Sequence, residues 1–445
     1  MQEFIHKFCV AAREAGIEKL NFYTREQLSR ELSVYEGKLE NLTRSELTQM
    51  YIEGLVDGKA GNVFVENFSD DLIPEHIRAL QESAGVCGNS FEPYELEGLT
   101  RTPFVDYGFT DLHETVDAMC RAEQAAYGFD SRVAPGVQVH VQEMGYRFTL
   151  ADEQERYATD VIVGGNAGIH LVAREGELVQ PGGKGKPFHG AELPDLEAMA
   201  RQAAEGAVSR LGAVSHATGR FPVVLDARVM GELLDAFLPA FFGRNVLSRM
   251  SVLAGRLGEQ IAGENISVVE DPFLPGGFCT RNFDDEGVPT TPKAIIDRGT
   301  LCCWLHNRVS AREAGATSGG NGFKTHFSES VSTGYTNVYI PTGDYTREEL
   351  LEQMGSGLLV TGVSGVFAGA RPNSGDFSLI SSGYRVENGK IDHAVNQITI
   401  AGNFFDMLRH ILAIGNDEYW MIAANGNVRT PSVYVESLAI SGKEK

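Results

Sequence analysis

The most informative part of the sequence is the stretch Phe221-Pro-Val-Val-Leu-Asp-Ala-Arg-Val-Met-Gly-Glu-Leu-Leu-Asp-Ala-Phe-Leu238. Its first residues are apolar and β-branched, which predicts a strand. Asp226 follows as a predicted N-cap, because a side-chain carboxylate can accept a hydrogen bond from the first turn of a helix. The apolar residues beyond it recur at helical spacing. We therefore expect a strand, a turn and then a helix over about 228–242.

This segment resembles the one in which the TldD/PmbA family of peptidases places a strand and a zinc-binding helix. In the TldD branch of that family the helix carries the motif H-E-x-x-x-H. The matching run here is Gly231-Glu-Leu-Leu-Asp-Ala236, in which only the glutamate, Glu232, remains. The chain therefore resembles the PmbA branch, also called TldE, which lacks the metal site.

The third zinc ligand is missing as well. The TldD branch takes it from a cysteine near its C-terminus, whereas the last cysteine of this chain is Cys303. A catalytic zinc needs about three protein ligands and an open position for water. The resemblance thus implies that this chain has no metal ligands, no catalytic residues, no cofactor-binding residues and no cofactor of its own.

The resemblance covers most of the chain through ordered motifs. It implies an α+β fold of the PmbA/TldD type, with a mixed α/β N-terminal region and a β-rich C-terminal domain. The motifs that carry it are Val34-Tyr-Glu-Gly-Lys-Leu-Glu-Asn-Leu42, Gly54-Leu-Val-Asp-Gly-Lys-Ala-Gly61, Phe283-Asp-Asp-Glu-Gly-Val-Pro289, Ile295-Ile-Asp-Arg-Gly-Thr-Leu301, Gly383-Tyr-Arg-Val-Glu-Asn-Gly-Lys-Ile391 and Ile398-Thr-Ile-Ala-Gly-Asn-Phe-Phe-Asp-Met-Leu408.

At 445 residues the chain is too long for one simple core. We predict an N-terminal α+β region over 1–190, which could comprise two subdomains, and a β-rich domain over 191–445 that contains the degenerate zinc helix. The breaker-rich run Gln180-Pro-Gly-Gly-Lys-Gly-Lys-Pro-Phe-His-Gly190 predicts a flexible loop just before that boundary. Further predicted elements are helices at 1–19, 71–84, 112–125 and 196–211, strands within 21–65, 137–150 and 157–174, and a helix that starts at the capping box Thr346-Arg-Glu-Glu349 and ends at Gly355.

Composition excludes several classes of function. The net charge of −22 argues against nucleic-acid binding, which needs a basic face. There is no run of about 18 apolar residues, so we expect no membrane span. The N-terminus shows no signal peptide, and the 6 cysteines show no C-x-x-C spacing, so we expect buried or inert thiols and a cytoplasmic protein.

Several local patterns imitate catalytic motifs. Glu232 would be a general base only beside a metal-bound water, so without zinc we expect it to face solvent or to pair across an interface. His113 and Asp117 are expected to lie on a charged helix surface rather than bind a metal. Four further histidines fall on different elements and are not expected to form a zinc cluster, namely His140, His170, His189 and His216. No G-x-S-x-G motif is present.

The glycine-rich stretch Ser318-Gly-Gly-Asn-Gly-Phe-Lys-Thr325 lacks the spacing of a phosphate-binding loop, and so do residues 163–169. It lies where the family has a Gly-Asn-Gly loop near the active cleft. An ordinary loop is the favoured interpretation, with contact to a peptide as the alternative.

Three functional hypotheses follow. The first is a subunit of a TldD/TldE-type metallopeptidase complex, in which a TldD-like partner supplies zinc and catalysis and the substrates are unfolded or short peptides. The second is a stand-alone homodimer that binds peptides or another protein without cleaving them. The third is an autonomous hydrolase with an unrecognised site.

Overall fold

A computed structural model describes residues 1–86, 91–101, 108–324, 330–423 and 426–443. Helices and antiparallel strands are interspersed along the chain, so the predicted α+β class is confirmed. No helix in these residues is both long and apolar enough to cross a membrane. The α-helices are α1 (Gln2–Glu14), α2 (Ile73–Ala84), α3 (Leu112–Phe129), α4 (Leu196–Val208), α5 (Ala227–Phe237), α6 (Gly243–Leu247), α7 (Arg308–Ala314), α8 (Arg347–Met354), α9 (Val366–Gly369) and α10 (Phe404–Arg409).

Short 3-10 turns cover Asp70–Leu72 and Leu238–Phe241. The strands are β1 (Lys19–Tyr35), β2 (Lys38–Val56), β3 (Lys59–Val65), β4 (Gln138–Asp152), β5 (Tyr157–Glu175), β6 (Leu178–His189), β7 (Gly219–Leu225), β8 (Val268–Glu270), β9 (Lys293–Asp297), β10 (Thr300–Leu301), β11 (Gly322–Phe323), β12 (Ser332–Thr333), β13 (Asn337–Tyr339), β14 (Gly357–Ser364), β15 (Ala370–Arg371), β16 (Asp376–Glu387), β17 (Lys390–Asn403), β18 (Ile411–Ile414), β19 (Tyr419–Ala423), β20 (Gly426–Thr430) and β21 (Val433–Ser441).

The N-terminal part is a six-stranded antiparallel sheet in the order β3-β2-β1-β4-β5-β6. Helices α1 and α2 cover one end of its helical face, and α3 and α4 cover the other end. The opposite face carries Tyr23, Tyr51 and Phe148, which pack against Phe278 and Phe283 of the C-terminal part. Successive side chains of a strand point to opposite faces of the sheet, so they contact the helices and the C-terminal part in turn.

The run 180–190 is not a flexible loop, and that prediction was wrong. It forms most of β6, which pairs in register with β5 from Glu175 opposite Leu178 to Gly164 opposite His189. Proline and glycine are tolerated here because β6 is an edge strand. Gly182 also allows close approach to α4, since a Cβ there would lie 2.4 Å from the carbonyl oxygen of Ala203.

The C-terminal part is built around a sheet that closes on itself. Its strands follow the order β14-β7-β21-β17-β16, and β16 pairs back onto β14. A second sheet, ordered β10-β9-β8-β13-β20-β19, lies beside it. Helix α5 and the turn after it lie within the large apolar core that the two sheets share.

Several predicted elements are confirmed with shifted ends. The first helix ends at Glu14 rather than 19, and the helix that begins at Leu112 continues to Phe129. Thr346 and Glu349 form the predicted capping box, and that helix ends before Gly355. Among the described cysteines Cys9 is buried, Cys120, Cys279 and Cys303 are partly buried and Cys302 is exposed, so burial is confirmed for Cys9 alone and the alternative, inert thiols, stays a prediction. Cys87 lies outside the described residues.

Candidate functional site

Helix α5 forms where the sequence predicts it and Asp226 caps it, but it ends at Phe237 rather than at about 242, and a 3-10 turn follows. The Asp226 carboxylate accepts a hydrogen bond from the backbone N–H of Arg228 at 3.1 Å. The helix buries one apolar side, which includes Val229, Leu233 and Phe237. It packs against β14, β19 and β20. The helix that the resemblance matches to a zinc helix is thus formed in this chain.

At the two positions that the resemblance matches to the histidines of H-E-x-x-x-H, this chain has small residues that pack against their neighbours and carry no metal ligand. Gly231 is buried, and a Cβ added there would lie 3.0 Å from the hydroxyl oxygen of Thr430 on β20. That hydroxyl is fixed, because it donates to the carbonyl of Ala227 at 2.7 Å. Ala236 packs against the apolar core. A larger side chain at Gly231 therefore meets a neighbour that cannot move without losing its hydrogen bond.

The two acids on the same helix have local partners. Arg228 Nε donates to Glu232 Oε1 at 2.9 Å, one turn away on α5. Glu232 is thus paired within its own helix and its side chain is 19% exposed, whereas the sequence predicted a residue that faces solvent or pairs across an interface. The hydroxyl of Tyr335 donates to the carboxylate of Asp235. Burial raises the pKa of Asp235, and the bond from Tyr335 partly offsets this.

The family name implies a metal, and the residues on α5 do not fit one. Gly231 and Ala236 have no ligand atoms, Glu232 is neutralised by Arg228, and Asp235 accepts from Tyr335. In the residues that the structure describes, no group of three or more His, Cys, Asp or Glu side chains could hold a metal ion. The side chains of α5 therefore do not support zinc chemistry on this helix.

The scattered histidines also have structural surroundings. His113 and Asp117 are exposed on α3, as expected. His140 and His170 stack with ring centroids 5.2 Å apart on neighbouring strands. His216 packs edge-on against the ring of Phe221.

A cleft of about 590 Å³ lies where the N-terminal sheet meets the C-terminal part. The side chains that line it come from β2, the segment around 92–94, the 285–286 turn, α7 and β12. Most of these side chains are polar, and they include both acidic and basic residues. They include Glu53, Glu92, Glu286, Arg308, Lys324 and Thr333.

Asp284 directly precedes the cleft-lining residues Asp285 and Glu286 in the chain and is fully buried. Its carboxylate accepts hydrogen bonds from the backbone N–H groups of Gly322 at 2.8 Å and of Glu286 and Val288 at 2.9 Å each. Burial nonetheless raises the pKa of Asp284 to about 7, because desolvation outweighs these bonds. The carboxylate thus ties the turn of residues 284–288 to β11.

Glu286 faces the cleft with a raised pKa. Its Oε2 accepts from the backbone N–H of Arg308 at 2.6 Å, at the start of α7. Burial raises the pKa of Glu286 to about 8, and the neighbouring Asp284 adds to the shift. Gly322 leaves room for this side chain, since a Cβ there would lie 2.2 Å from Glu286 Oε2. A protonated Glu286 can donate a hydrogen bond near neutral pH.

The Gly-Asn-Gly loop is anchored from below. Asn321 is fully buried, and its side-chain amide donates to both carboxylate oxygens of Glu270 at 3.0 and 2.9 Å. Lys293 donates to Glu270 at 3.0 Å and to the Asn321 side-chain oxygen at 2.9 Å. The lysine beneath this loop is therefore neutralised by Glu270. This arrangement is that of a structural loop, not of a phosphate-binding one.

The hydroxyl of Thr333, a residue that lines the cleft, forms no hydrogen bond with the rest of the described protein. Thr333 lies on β12, is 7% exposed, and its hydroxyl oxygen has no hydrogen-bond partner in the described residues. Two residues further on, Tyr335 reaches Asp235 on α5, so one short segment joins the cleft to the helix. Sequence reasoning missed Asp284, Glu286 and Thr333 as site residues. The only signal was the acidic run in Phe283-Asp-Asp-Glu-Gly-Val-Pro289, which had served only as a family motif.

Residues 218–442 match the model of the PmbA/TldA metallopeptidase C-terminal domain. The chain is similar to a protein named Metalloprotease PmbA from Escherichia coli O157:H7, with 28% identity over 84% of this chain and 82% of that protein. A Metalloprotease PmbA homolog from Haemophilus influenzae is 27% identical over 97% of this chain and 89% of its own length.

Solved structures agree with this assignment. A Thermotoga maritima protein described as a candidate modulator of a DNA gyrase superposes with a TM-score of 0.86, at 29% identity and 99% coverage of both chains. TldE from Thermococcus kodakarensis shares the fold with a TM-score of 0.83 at 20% identity, over 98% of this chain and 100% of that one. The chain belongs to the PmbA/TldD metallopeptidase family.

Proposed function

We propose that this chain is a PmbA/TldE-like, non-catalytic subunit of a TldD/TldE-type metallopeptidase complex. In this complex a TldD-like partner supplies the zinc ion and the general base. This chain contributes a wall of the chamber that holds unfolded or short peptides. The family assignment supports the peptidase context, and the composition of α5 supports the division of labour.

One observation carries the proposal. Helix α5 keeps the cap, the packing face and the glutamate of a zinc helix, yet Gly231 and Ala236 stand at the two ligand positions. The close contact between Gly231 and Thr430 leaves little room for a larger side chain, and neither Gly231 nor Ala236 has a ligand atom for a metal. A general base at Glu232 has no metal-bound water to act on, because such a water owes its low pKa to the ion.

The cleft supports the peptide-holding role. The volume of the cleft, about 590 Å³, lies within the range of ligand-binding sites, and its polar side chains can form hydrogen bonds with peptide groups. Strand β12 forms one wall, and an extended peptide can add to a strand through backbone hydrogen bonds. Thr333 lines this wall with a buried hydroxyl that has no partner in the described protein, and we infer that a bound peptide supplies that partner.

The proposal is tested by measuring cleavage of an unstructured peptide by this chain, by a TldD-like partner, and by mixtures of increasing ratio. We expect activity to rise to a plateau at a fixed stoichiometry of the two chains. Cleavage by this chain alone that survives a chelator would overturn the proposal and indicate an autonomous hydrolase.

A valine substitution sharpens the test. Thr333→Val keeps the shape but removes the hydroxyl, so we expect KM of the mixture to rise several-fold while kcat changes little. Thr24→Val is the matched control, because the Thr24 hydroxyl is also buried without a partner in the described residues but lies on β1 and does not line the cleft. Equal effects of the two variants would contradict a role for Thr333 in peptide binding.

A further inference from the structure

The short ribbon formed by β11 and β12 places two cleft residues side by side. Gly322 on β11 pairs with Thr333 on β12 in antiparallel register. Side chains of directly paired residues lie on one face of such a ribbon, with their Cβ atoms about 5 Å apart. At Gly322 the Cβ position is occupied by Glu286 instead, since a Cβ there would clash with Glu286 Oε2. The Glu286 carboxylate and the Thr333 side chain therefore share one face of the ribbon.

Both residues line the cleft and can accept further hydrogen bonds. In the part of the chain that the structure describes, the Thr333 hydroxyl has no hydrogen-bond partner, although the residue is only 7% exposed. The Glu286 carboxylate accepts through Oε2 from the backbone N–H of Arg308 at 2.6 Å. A hydroxyl has two lone pairs and a carboxylate about four, so both groups have acceptor positions left. A ligand with several N–H donors on one atom can bond to both at once.

Glu286 lies among the charged residues of the cleft but forms no ion pair with any of the described ones. Arg308, which donates its backbone N–H to Glu286, pairs through its guanidinium with Glu92 at 3.2 Å. Burial raises the pKa of Glu286 to about 8, and the neighbouring Asp284 adds to the shift. Arg308 lowers the pKa and Glu92 raises it by smaller amounts. A cation beside this carboxylate would stabilise its ionised form, so the surroundings of Glu286 favour a positively charged ligand.

We propose that Glu286 and Thr333 form a subsite for an alkylammonium group of the bound peptide, either its free N-terminus or a lysine side chain. The ammonium donates one hydrogen bond to the Glu286 carboxylate and another to the Thr333 hydroxyl. Its charge supplies the cation that Glu286 lacks among the described residues. A backbone N–H has a single donor and no charge, so it cannot replace the ammonium. The inference rests on the proposed peptide-holding function and names the peptide group that the cleft recognises.

Three peptides that differ only in their amines test the subsite on the full chain alone. Tetra-alanine amide carries one ammonium group, at its N-terminus, and no carboxylate. Its N-acetylated form carries neither, and an N-acetylated form with one alanine replaced by lysine carries the ammonium on a side chain. In isothermal titration calorimetry at pH 7, at least one ammonium peptide should bind about tenfold more tightly than the acetylated alanine peptide. Which of the two binds more tightly identifies the source of the ammonium group.

Variants of the two subsite residues locate the preference. Glu286→Gln keeps the shape and removes the charge, so the advantage of the ammonium peptide should disappear. Glu313→Gln is the matched control, because Glu313 lines the same cleft but pairs with Arg244 at 2.8 Å, and the advantage should persist. Thr333→Val should lower the affinity for the ammonium peptide several-fold and change that for the acetylated peptide less.

The outcomes separate this inference from the proposed function. Equal binding of the ammonium and acetylated peptides by the wild type would overturn the inference, as would an advantage that persists in Glu286→Gln or no binding of any peptide at millimolar concentration. Cleavage by mixtures with a TldD-like partner would in those cases still support the proposed function. An ammonium preference that Glu286→Gln removes, in a chain whose mixtures do not cleave peptides, would support the subsite and contradict the proposed complex.

Discussion

The acidic residues of helix α5 and of the turn at 284–288 differ in the groups that hold them. On α5 the positions that would bind a metal carry Gly231 and Ala236, and the acids are paired with side chains of the same protein. In the turn, Asp284 is held by three backbone N–H groups and no ion pair in the described residues. The acids of the first region are held by side chains, and Asp284 in the second is held by backbone N–H groups.

Because the acids of the two regions have different partners, substitutions in them should change the free energy of unfolding by different amounts. Removing a polar group from α5 disturbs one side-chain pair, whereas removing Asp284 leaves buried backbone donors without partners. An unsatisfied buried donor costs about 1–3 kcal/mol, while a partly exposed ion pair within a helix is worth about 0.3–0.5 kcal/mol. Substitutions in the two regions should therefore differ in size by severalfold.

The largest effect is expected for Asp284→Ala. Three backbone N–H groups lose their acceptor in a fully buried site, so the free energy of unfolding should fall by about 3 kcal/mol or more. Urea unfolding at mildly acidic pH measures it, with the exposed Asp344→Ala as control. A loss below about 1 kcal/mol would show that water enters the site and that the backbone bonds are not essential.

The pH dependence of stability is the next largest effect. The pKa of Glu286 is about 8 in the folded chain against 4.5 for an ordinary glutamate, so the folded state holds the proton more tightly. Its contribution is complete below the ordinary pKa and is lost as pH rises through the folded pKa. The free energy of unfolding should thus fall between about pH 4.5 and pH 8, and Glu286→Gln should reduce that slope.

Glu313→Gln is the control for this slope, because Glu313 is an exposed acid at the same cleft. Stability measured by urea unfolding across the pH range should keep the wild-type slope in this control. An unchanged slope in Glu286→Gln would contradict the raised pKa.

A smaller effect of defined sign is expected on α5. Alanine normally stabilises a helix relative to glycine by about 0.5–1 kcal/mol. Gly231→Ala should instead destabilise by about 1 kcal/mol, since its Cβ would press against Thr430. Gly206→Ala in α4 is the matched control, as a Cβ there meets nothing within 4 Å, and it should stabilise. Equal, stabilising changes in thermal unfolding would show that the α5 contact is not tight.

The smallest effect is expected for Glu232→Gln. The pair with Arg228 is half exposed on the arginine side, so its loss should lower the free energy of unfolding by about 0.3–0.5 kcal/mol. Activity of the mixture with a TldD-like partner should stay unchanged. A large fall in kcat with unchanged stability would mean that this glutamate takes part in catalysis.

Much of the fold could be predicted from the sequence. The strand–turn–helix around Asp226 and the capping box at Thr346 rest on local hydrogen bonds, which short motifs encode directly. The edge strand β6 could not be recognised, because its prolines and glycines are tolerated only through pairing with β5 and contact with α4. Local breaker signals carry no information about such tertiary contacts.

The candidate site likewise has features that the local sequence determines and features that depend on tertiary contacts. The absence of ligands at Gly231 and Ala236 is visible in the sequence, because residue type alone decides it. The role of Asp284 depends on Gly322, which is far along the chain, and the hydroxyl of Thr333, without a partner in the described residues, depends on how β12 is buried. Neither feature has a pattern in sequence spacing.

The most direct test of the central claim is the zinc content of this chain, purified alone and in complex with a TldD-like partner, by elemental analysis. The account predicts well below one zinc per chain when it is alone, and zinc in the complex that matches the amount of partner. Stoichiometric zinc on the isolated chain, retained after dialysis and lost in a Glu232→Gln or Asp235→Asn variant, would contradict it and place a metal site on α5.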